Sequence, residues 1–294
     1  MVNGVNLAFQ FLDSFGFIVL AAIGLAIIFG MMGVINLAHG EFIMIGAYAT
    51  TLAANAGIPL VAAMVVGVLV TTVVGLVLEY TIIERLYERP LDSMVATWAL
   101  GLAIVQGTRI VFGNSLPGVG IPLGSIQYGA FSYSTYRVLL SAVALVVLVG
   151  AYVVFTRTEF GVRAQATIQD AETARAMGVD TDRMYTATFG VGSALAGLTG
   201  ALYAPTMAVT PGMGSSFLVE AFVAVVTGGT SVLLGTALAG GVLGSADALF
   251  TNLYGTFIGT VALLVMAILI LRFLPEGLSG AVEDVRERIE RESV

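Results

Sequence analysis

Long apolar runs, broken at short polar or glycine-rich points, cover almost the whole chain. Val5–Met31, Leu60–Ile83, Met94–Phe112, Val138–Phe155, Tyr185–Met207 and Phe257–Phe273 each read as one hydrophobic helix of roughly membrane-spanning length. Two stretches depart from that pattern. Between Gly33 and Tyr48 the polar residues Asn36, His39 and Glu41 interrupt the apolar sequence, bracketed by Gly33, Gly40 and Gly46, before it resumes to about Ala54. Phe217–Val226 is too short to cross, since a helix of that length reaches only about 15 Å against a hydrocarbon core of about 30 Å. Thr227-Gly228-Gly229-Thr230-Ser231 follows it, and a further apolar run continues to Phe250. That is the pattern of a broken or re-entrant helix pair. The expected fold is an all-α polytopic membrane protein of about eight transmembrane segments, with this pair in its C-terminal half.

The joints are short. Gly57-Ile58-Pro59 makes a turn, Glu84–Asp92 a charged loop, Gly113–Thr135 an uncharged Gly/Pro/Ser-rich loop, and Thr210-Pro211-Gly212 a break. Residues 1–280 are expected to form a single transmembrane domain. Residues 281–294, ending VEDVRERIERESV, form a charged tail with a helical pattern.

Composition narrows the chemistry. Only 11% of residues are charged, against about 25% in a soluble domain, and the mean hydropathy is +0.98. All 12 basic residues are Arg. Without Lys there is no P-loop and no Schiff base, so any ATP used must be hydrolysed by a partner. The absence of Cys removes disulfides and thiolate metal sites, and a single His argues against a multi-histidine metal centre. His39 has no nucleophile in a G-x-S-x-G context, so a hydrolase reading is set aside. The net charge of −7 disfavours nucleic acid.

Arginine also sets the expected orientation. Arg85 and Arg89 share one loop; Arg157, Arg163, Arg175 and Arg183 share another; Arg272, Arg286, Arg288 and Arg291 follow the last span. Placing all three clusters inside puts the N-terminus outside and the C-terminus in the cytoplasm, with Arg109 and Arg137 flanking the outer loop. The loop at 156–184 is then cytoplasmic. Within it, Ala166–Met177 reads as a short helix closed by Gly178 in the left-handed region. Thr167, Ala171, Ala174 and Gly178 give this helix one small, smooth face, while Asp170, Glu172 and Arg175 point elsewhere. Such a helix fits a groove on a soluble partner; the alternative is a solvated loop with an incidental helical turn.

Ionisable groups at membrane depth are the remaining candidates for function. His39, Glu41, Glu220 and Asp247 line a polar path for a solute or make buried structural contacts between helices. For Glu220 and Asp247 the structural reading weighs more. Glu79, near a helix end, is expected to snorkel to the interface. Ser193, Gly197 and Ala201, continued by Gly200 and Ala204, make a small-residue ridge suited to internal bundle packing, with a dimer seam or a wall of the pore as the other reading. Trp98 is expected to act as an interface anchor, with a pore residue as the alternative.

Several motifs together resemble a known family. Gly24–Tyr48, reading GLAIIFGMMGVINLAHGEFIMIGAY, strongly resembles the start of the branched-chain amino-acid and urea/amide permeases of ABC importers. Glu84–Leu91, Gly161–Val179, Ala194–Gly200 and Val225–Gly229 are similar to the same family, so the likeness covers about residues 15–280. Ala96-Thr97-Trp98, Gln106, Arg109 and Phe112-Gly113 look closer to the urea-type branch. The resemblance implies a plasma-membrane permease that pairs with a second homologous permease subunit, two cytosolic ATP-binding subunits and an extracellular solute-binding protein. No cofactor is implied for this chain; ATP is used by the partners. Asn36, His39, Glu41, Glu220 and Asp247 become candidates for the translocation path. Arg163, Asp170, Ala171, Glu172, Ala174, Arg175 and Gly178 become candidates for contact with the ATPase. A passive channel for a small polar solute such as urea is the other functional class, and a structural subunit of a respiratory or secondary-transport complex is a third.

Overall fold

A computed structural model describes residues 2–87, 89–129, 131–229 and 231–283. Its helices are α1 (Val2–Met32), α2 (His39–Asn55), α3 (Leu60–Thr81), α4 (Pro90–Phe112), α5 (Thr135–Arg157), α6 (Glu159–Gln169), α7 (Ala171–Ala176), α8 (Thr181–Tyr203), α9 (Gly214–Gly228), α10 (Val232–Tyr254) and α11 (Thr256–Phe273). The protein is an all-α, multi-pass membrane protein. By length and apolar composition, α1, α3, α4, α5, α10 and α11 each suffice to cross a bilayer. Among the described residues these are six of the about eight segments expected; α2, at 17 residues, and α8 do not meet the measure, their sequences being diluted by glycine, threonine and alanine. The tail residues Arg286, Arg288 and Arg291 lie outside the described residues, as do Glu88 and Thr230.

Helix ends follow local chemistry. Pro90 opens α4, where its missing N–H costs nothing, and Gly113 closes it at φ +81. The uncharged segment after Gly113 contains an element that the composition did not announce. Strands β1 (Ser125–Tyr128) and β2 (Phe131–Ser134) form an antiparallel hairpin, with Ile126 opposite Tyr133 and Tyr128 opposite Phe131. Gly129, at φ +61, opens its turn.

The chain divides into two compact units, and the divisions fall inside α1, α5 and α9 and in the segment between α4 and β1. The larger comprises residues 23–122 and 149–219. Its centre is α8, which packs on both α2 and α3. The buried positions of α3 are Ala63, Gly67, Thr71, Gly75 and Glu79, every fourth residue along one ridge. This ridge meets the small ridge of α8. A methyl group placed on Gly75 would overlap the Ser193 hydroxyl, one on Gly197 would lie 2.7 Å from Thr71 Cβ, and one on Gly67 would lie 3.4 Å from Ala201. The expected bundle-packing role of Ser193, Gly197 and Ala201 is what the structure contains. Small residues are needed because the gain between membrane helices comes from close van der Waals contact.

The smaller unit comprises, among the described residues, those within 2–22, 123–148 and 220–283. Here α10 and α11 form a tight pair, with Gly259 packed on Asp247 and Thr251. Asn6 Nδ2 donates to Asn252 Oδ1 at 2.6 Å, Tyr133 donates to Asn6, and Arg137 pairs with Asp13 at 2.6 Å. The α9–α10 break packs on the segment after α11. Gly229 and Gly277, both at positive φ, touch backbone to backbone, and the Ser231 N–H donates to Ser279 Oγ at 3.0 Å. At 15 residues, α9 is the short helix that its sequence predicted.

Candidate functional site

Buried polar groups of the larger unit gather at the break between α1 and α2. Gly33 leaves the helix at φ +63, and residues 33–38 are non-helical. Irregular backbone survives at membrane depth only where protein satisfies its polar groups. Here Asn36 Oδ1 accepts from the Ala38 N–H at 3.0 Å. Thr97 of α4 does more: its hydroxyl accepts from the Leu37 N–H at 3.0 Å and lies 3.2 Å from the Ile35 carbonyl. Thr97 therefore holds the break from across a helix boundary. Nothing in the local sequence of α4 assigned it that role.

The structure brings Asn36, His39 and Glu41 together around this break, each facing a different neighbour. Asn36 is 1% exposed and its Nδ2 has no hydrogen-bond partner. His39 is fully buried with its ring beside Gly24 of α1. Half-buried Glu41 turns toward Gly101 of α4, where an added methyl group would stand 3.2 Å from Oε2. That oxygen is buried and lacks a hydrogen-bond partner. Gly40 is pressed against the backbone of Gly214, so α2 and α9 begin at the same point. An amide donor and a carboxylate acceptor with bonding capacity to spare are thus held beside two helix N-termini.

Glu220 and Asp247 belong to the smaller unit. Asp247 accepts from Ser14 Oγ, which ties α10 to α1 within that unit. Glu220 is half-buried on α9.

The segment between α5 and α8 differs from its expected form. A single helix over Ala166–Met177 is replaced by two, α6 and α7, joined at Asp170. The reason is local: Asp170 adopts an extended backbone and caps α7, accepting from the Thr173 N–H at 3.0 Å and the Thr173 hydroxyl at 2.6 Å. The Thr173 hydroxyl first, and then its N–H, hold the Asp170 carboxyl below the usual carboxylate range. Thr158 caps α6, Asp180 caps α8, and Gly178 takes φ +90 as predicted.

The small face does not point outward. Thr167 and Ala174 are each 3% exposed, turned into the unit itself. Ala171 is half-buried; Arg163, Asp170, Glu172, Arg175 and Gly178 are exposed. The exposed large apolar side chains of this segment are Val162, Ile168 and Met177, the last 81% exposed. Arg163 pairs with Glu159, and Arg175 donates to Thr181 Oγ1 at 2.7 Å and reaches Asp182 at 3.6 Å.

Glu79 also departs from expectation. It is fully buried and does not snorkel. Its Oε1 accepts from the Tyr87 hydroxyl and from Thr186 Oγ1 at 3.1 Å, while Oε2 is buried without a partner. Burial raises the Tyr87 phenol pKa strongly, and the hydrogen bond to Glu79 raises it further, so Tyr87 remains a donor. Trp98 is exposed on α4, compatible with an interface anchor.

The sequence matches the family described as "Branched-chain amino acid transport system / permease component" over residues 7–274. It is 30% identical over 305 residues to the high-affinity branched-chain amino acid transport system permease protein BraD of Pseudomonas aeruginosa, covering 96% of this chain and 95% of that one. It is 28% identical over 304 residues to LivH of Escherichia coli, a protein of the same description, again over 96% and 95%. A probable branched-chain amino acid transport permease protein LivH of Methanocaldococcus jannaschii is 25% identical over 280 residues, 90% of this chain and 88% of its own. No solved structure matches.

Proposed function

This chain belongs to the branched-chain amino acid transport permease family and is a membrane permease subunit rather than an enzyme; on that premise we propose that it imports branched-chain amino acids as part of an ATP-driven ABC importer. An extracellular binding protein delivers the solute. This chain and a second homologous permease subunit form the path, and two cytosolic ATP-binding subunits supply the work by alternating access. Residues 1–280 act as one permease domain, with the N-terminus outside, the 156–184 loop and the tail from 281 in the cytoplasm. The relatives' descriptions favour an amino acid over urea.

The observation that carries the reading is the α6–α7 segment. It is capped at both helix starts, tied to α8 through Arg175, and presents Ile168 and Met177 to the outside. A preorganised exposed pair of short helices between two spans is a docking element for the ATPase. The polar break at Asn36–Glu41 is the candidate solute contact. The test is reconstitution: leucine uptake into vesicles requires this chain, its partners and ATP together, and uptake by this chain alone would make it a passive channel.

A further inference from the structure

We propose that Glu79 is a positioning residue for transport: it couples movement of α6–α7 to the helices around the polar break. The inference rests on the importer reading above and adds a named coupling residue to it.

Glu79 ends the ridge of α3 that packs on α8. A buried carboxylate is costly unless hydrogen-bonded, and Glu79 uses one oxygen for both of its bonds. One comes from Tyr87 in the turn after α3, the other from Thr186 on α8. Next to Thr186, the Tyr185 ring packs on the Tyr87 ring with centroids 5.0 Å apart. Two consecutive residues of α8 therefore grip the same tyrosine–glutamate pair.

On one side of this node lies α7. Arg175 holds the first turn of α8 through Thr181 and Asp182, five and four residues before Thr186. On the other side, α8 is locked to its neighbours by glycine contacts too close to slip independently. Ser193 meets Gly75, and Gly192 meets Gly24 and Ile28 of α1. Gly192 lies six residues beyond Thr186, about 9 Å along the helix. Gly24, its contact on α1, also faces the His39 ring at the start of α2. A displacement of α7 thus reaches the polar break along α8, and Glu79 fixes α8 relative to α3 where the displacement enters. The unpartnered Oε2 lets one donor pass from oxygen to oxygen as α8 shifts, without leaving the carboxylate bare.

The experiment uses the complete importer in proteoliposomes. It measures leucine taken up per ATP hydrolysed, together with the amount of ATPase retained. Thr186→Val removes one donor, Glu79→Leu removes the acceptor, and Glu79→Gln keeps an acceptor oxygen. Expected are normal ATPase retention with a fall of about tenfold in the transport-to-hydrolysis ratio for Thr186→Val and Glu79→Leu, and recovery of most of it in Glu79→Gln. A merely structural residue would lower uptake and hydrolysis in proportion and leave the ratio unchanged; that outcome overturns the proposal. Thr186→Val decides the matter if Glu79→Leu fails to assemble, since a wild-type ratio there also overturns it. If the wild-type complex itself shows no ATP-dependent leucine uptake, the importer reading fails, which is a separate result.

Discussion

Gly200 of α8 sits so close to α2 that a methyl group placed on it would overlap the Ile43 carbonyl and lie 2.8 Å from the Ala47 nitrogen. The two backbones touch with no side chain between them. Gly200→Ala should therefore force the helices apart and destabilise the protein by about 1–3 kcal/mol, the usual range for overpacking. Gly107 of α4 has nothing within 4 Å of the same added group. Gly107→Ala should leave the melting temperature unchanged or raise it slightly through helix propensity. Thermal unfolding in detergent compares the two, and equal effects would contradict the contact.

Asp170 should matter as a cap. Its carboxyl is held below the ordinary range, so its contribution is complete above the ordinary Asp pKa of about 3.9 and is lost as pH falls through the lower folded value. Asp170→Ala should reduce ATPase retention, while Asp170→Asn, which still caps, should not. The deficit of Asp170→Ala should be the same at pH 7 and pH 5. A deficit that vanishes at pH 5 would mean that the cap titrates higher than the geometry implies.

Ile168 and Met177 should form the apolar part of the docking surface. Met177→Asp and Ile168→Asp are expected to lower ATPase retention by about tenfold or more with membrane insertion intact, an effect typical of buried interface side chains. Ala174→Trp should act differently. Ala174 is buried within its own unit, so the bulky side chain should disturb α7 itself and raise its sensitivity to protease. Full retention in Met177→Asp would remove this face from the interface.

Glu41 and Asp247 should separate transport from stability. Glu41→Ala is expected to lower solute uptake while the assembled complex and its melting temperature stay near wild type. Asp247→Ala leaves the Ser14 hydroxyl without its acceptor and should cost about 1–3 kcal/mol of stability. Uptake and melting curves on the two variants check this; a stability loss confined to Glu41→Ala would reverse the assignments.

The spans were readable because long apolar runs have few alternatives in a chain this hydrophobic. The break before α2 was readable too, because Asn36, His39 and Glu41 stand out between glycines. What the sequence hid was partnership across helices. Nothing local distinguishes Thr97 from other helical threonines, and its role depends on the backbone of residues 35–37 lying beside it. Glu79 looked like a carboxylate near a helix end because its two donors come from Tyr87 and from Thr186, 107 positions away. The single helix expected over Ala166–Met177 failed for a different reason. Its composition favours helix throughout, but the Asp170 side chain competes for the Thr173 N–H and starts a new helix. That break turned Thr167 and Ala174 inward, so the face that looked smooth in a helical projection is not the exposed one.

The measurement that bears most directly on the function is radiolabelled uptake in membrane vesicles carrying this chain with its full set of partners. Leucine and urea are compared with ATP inside or absent. The importer account predicts that leucine accumulates only with ATP and all partners, and that urea does not. Accumulation of urea in its place would keep the transport mechanism and change the substrate. Entry of either solute without ATP or partners would contradict the account and make this chain a passive channel.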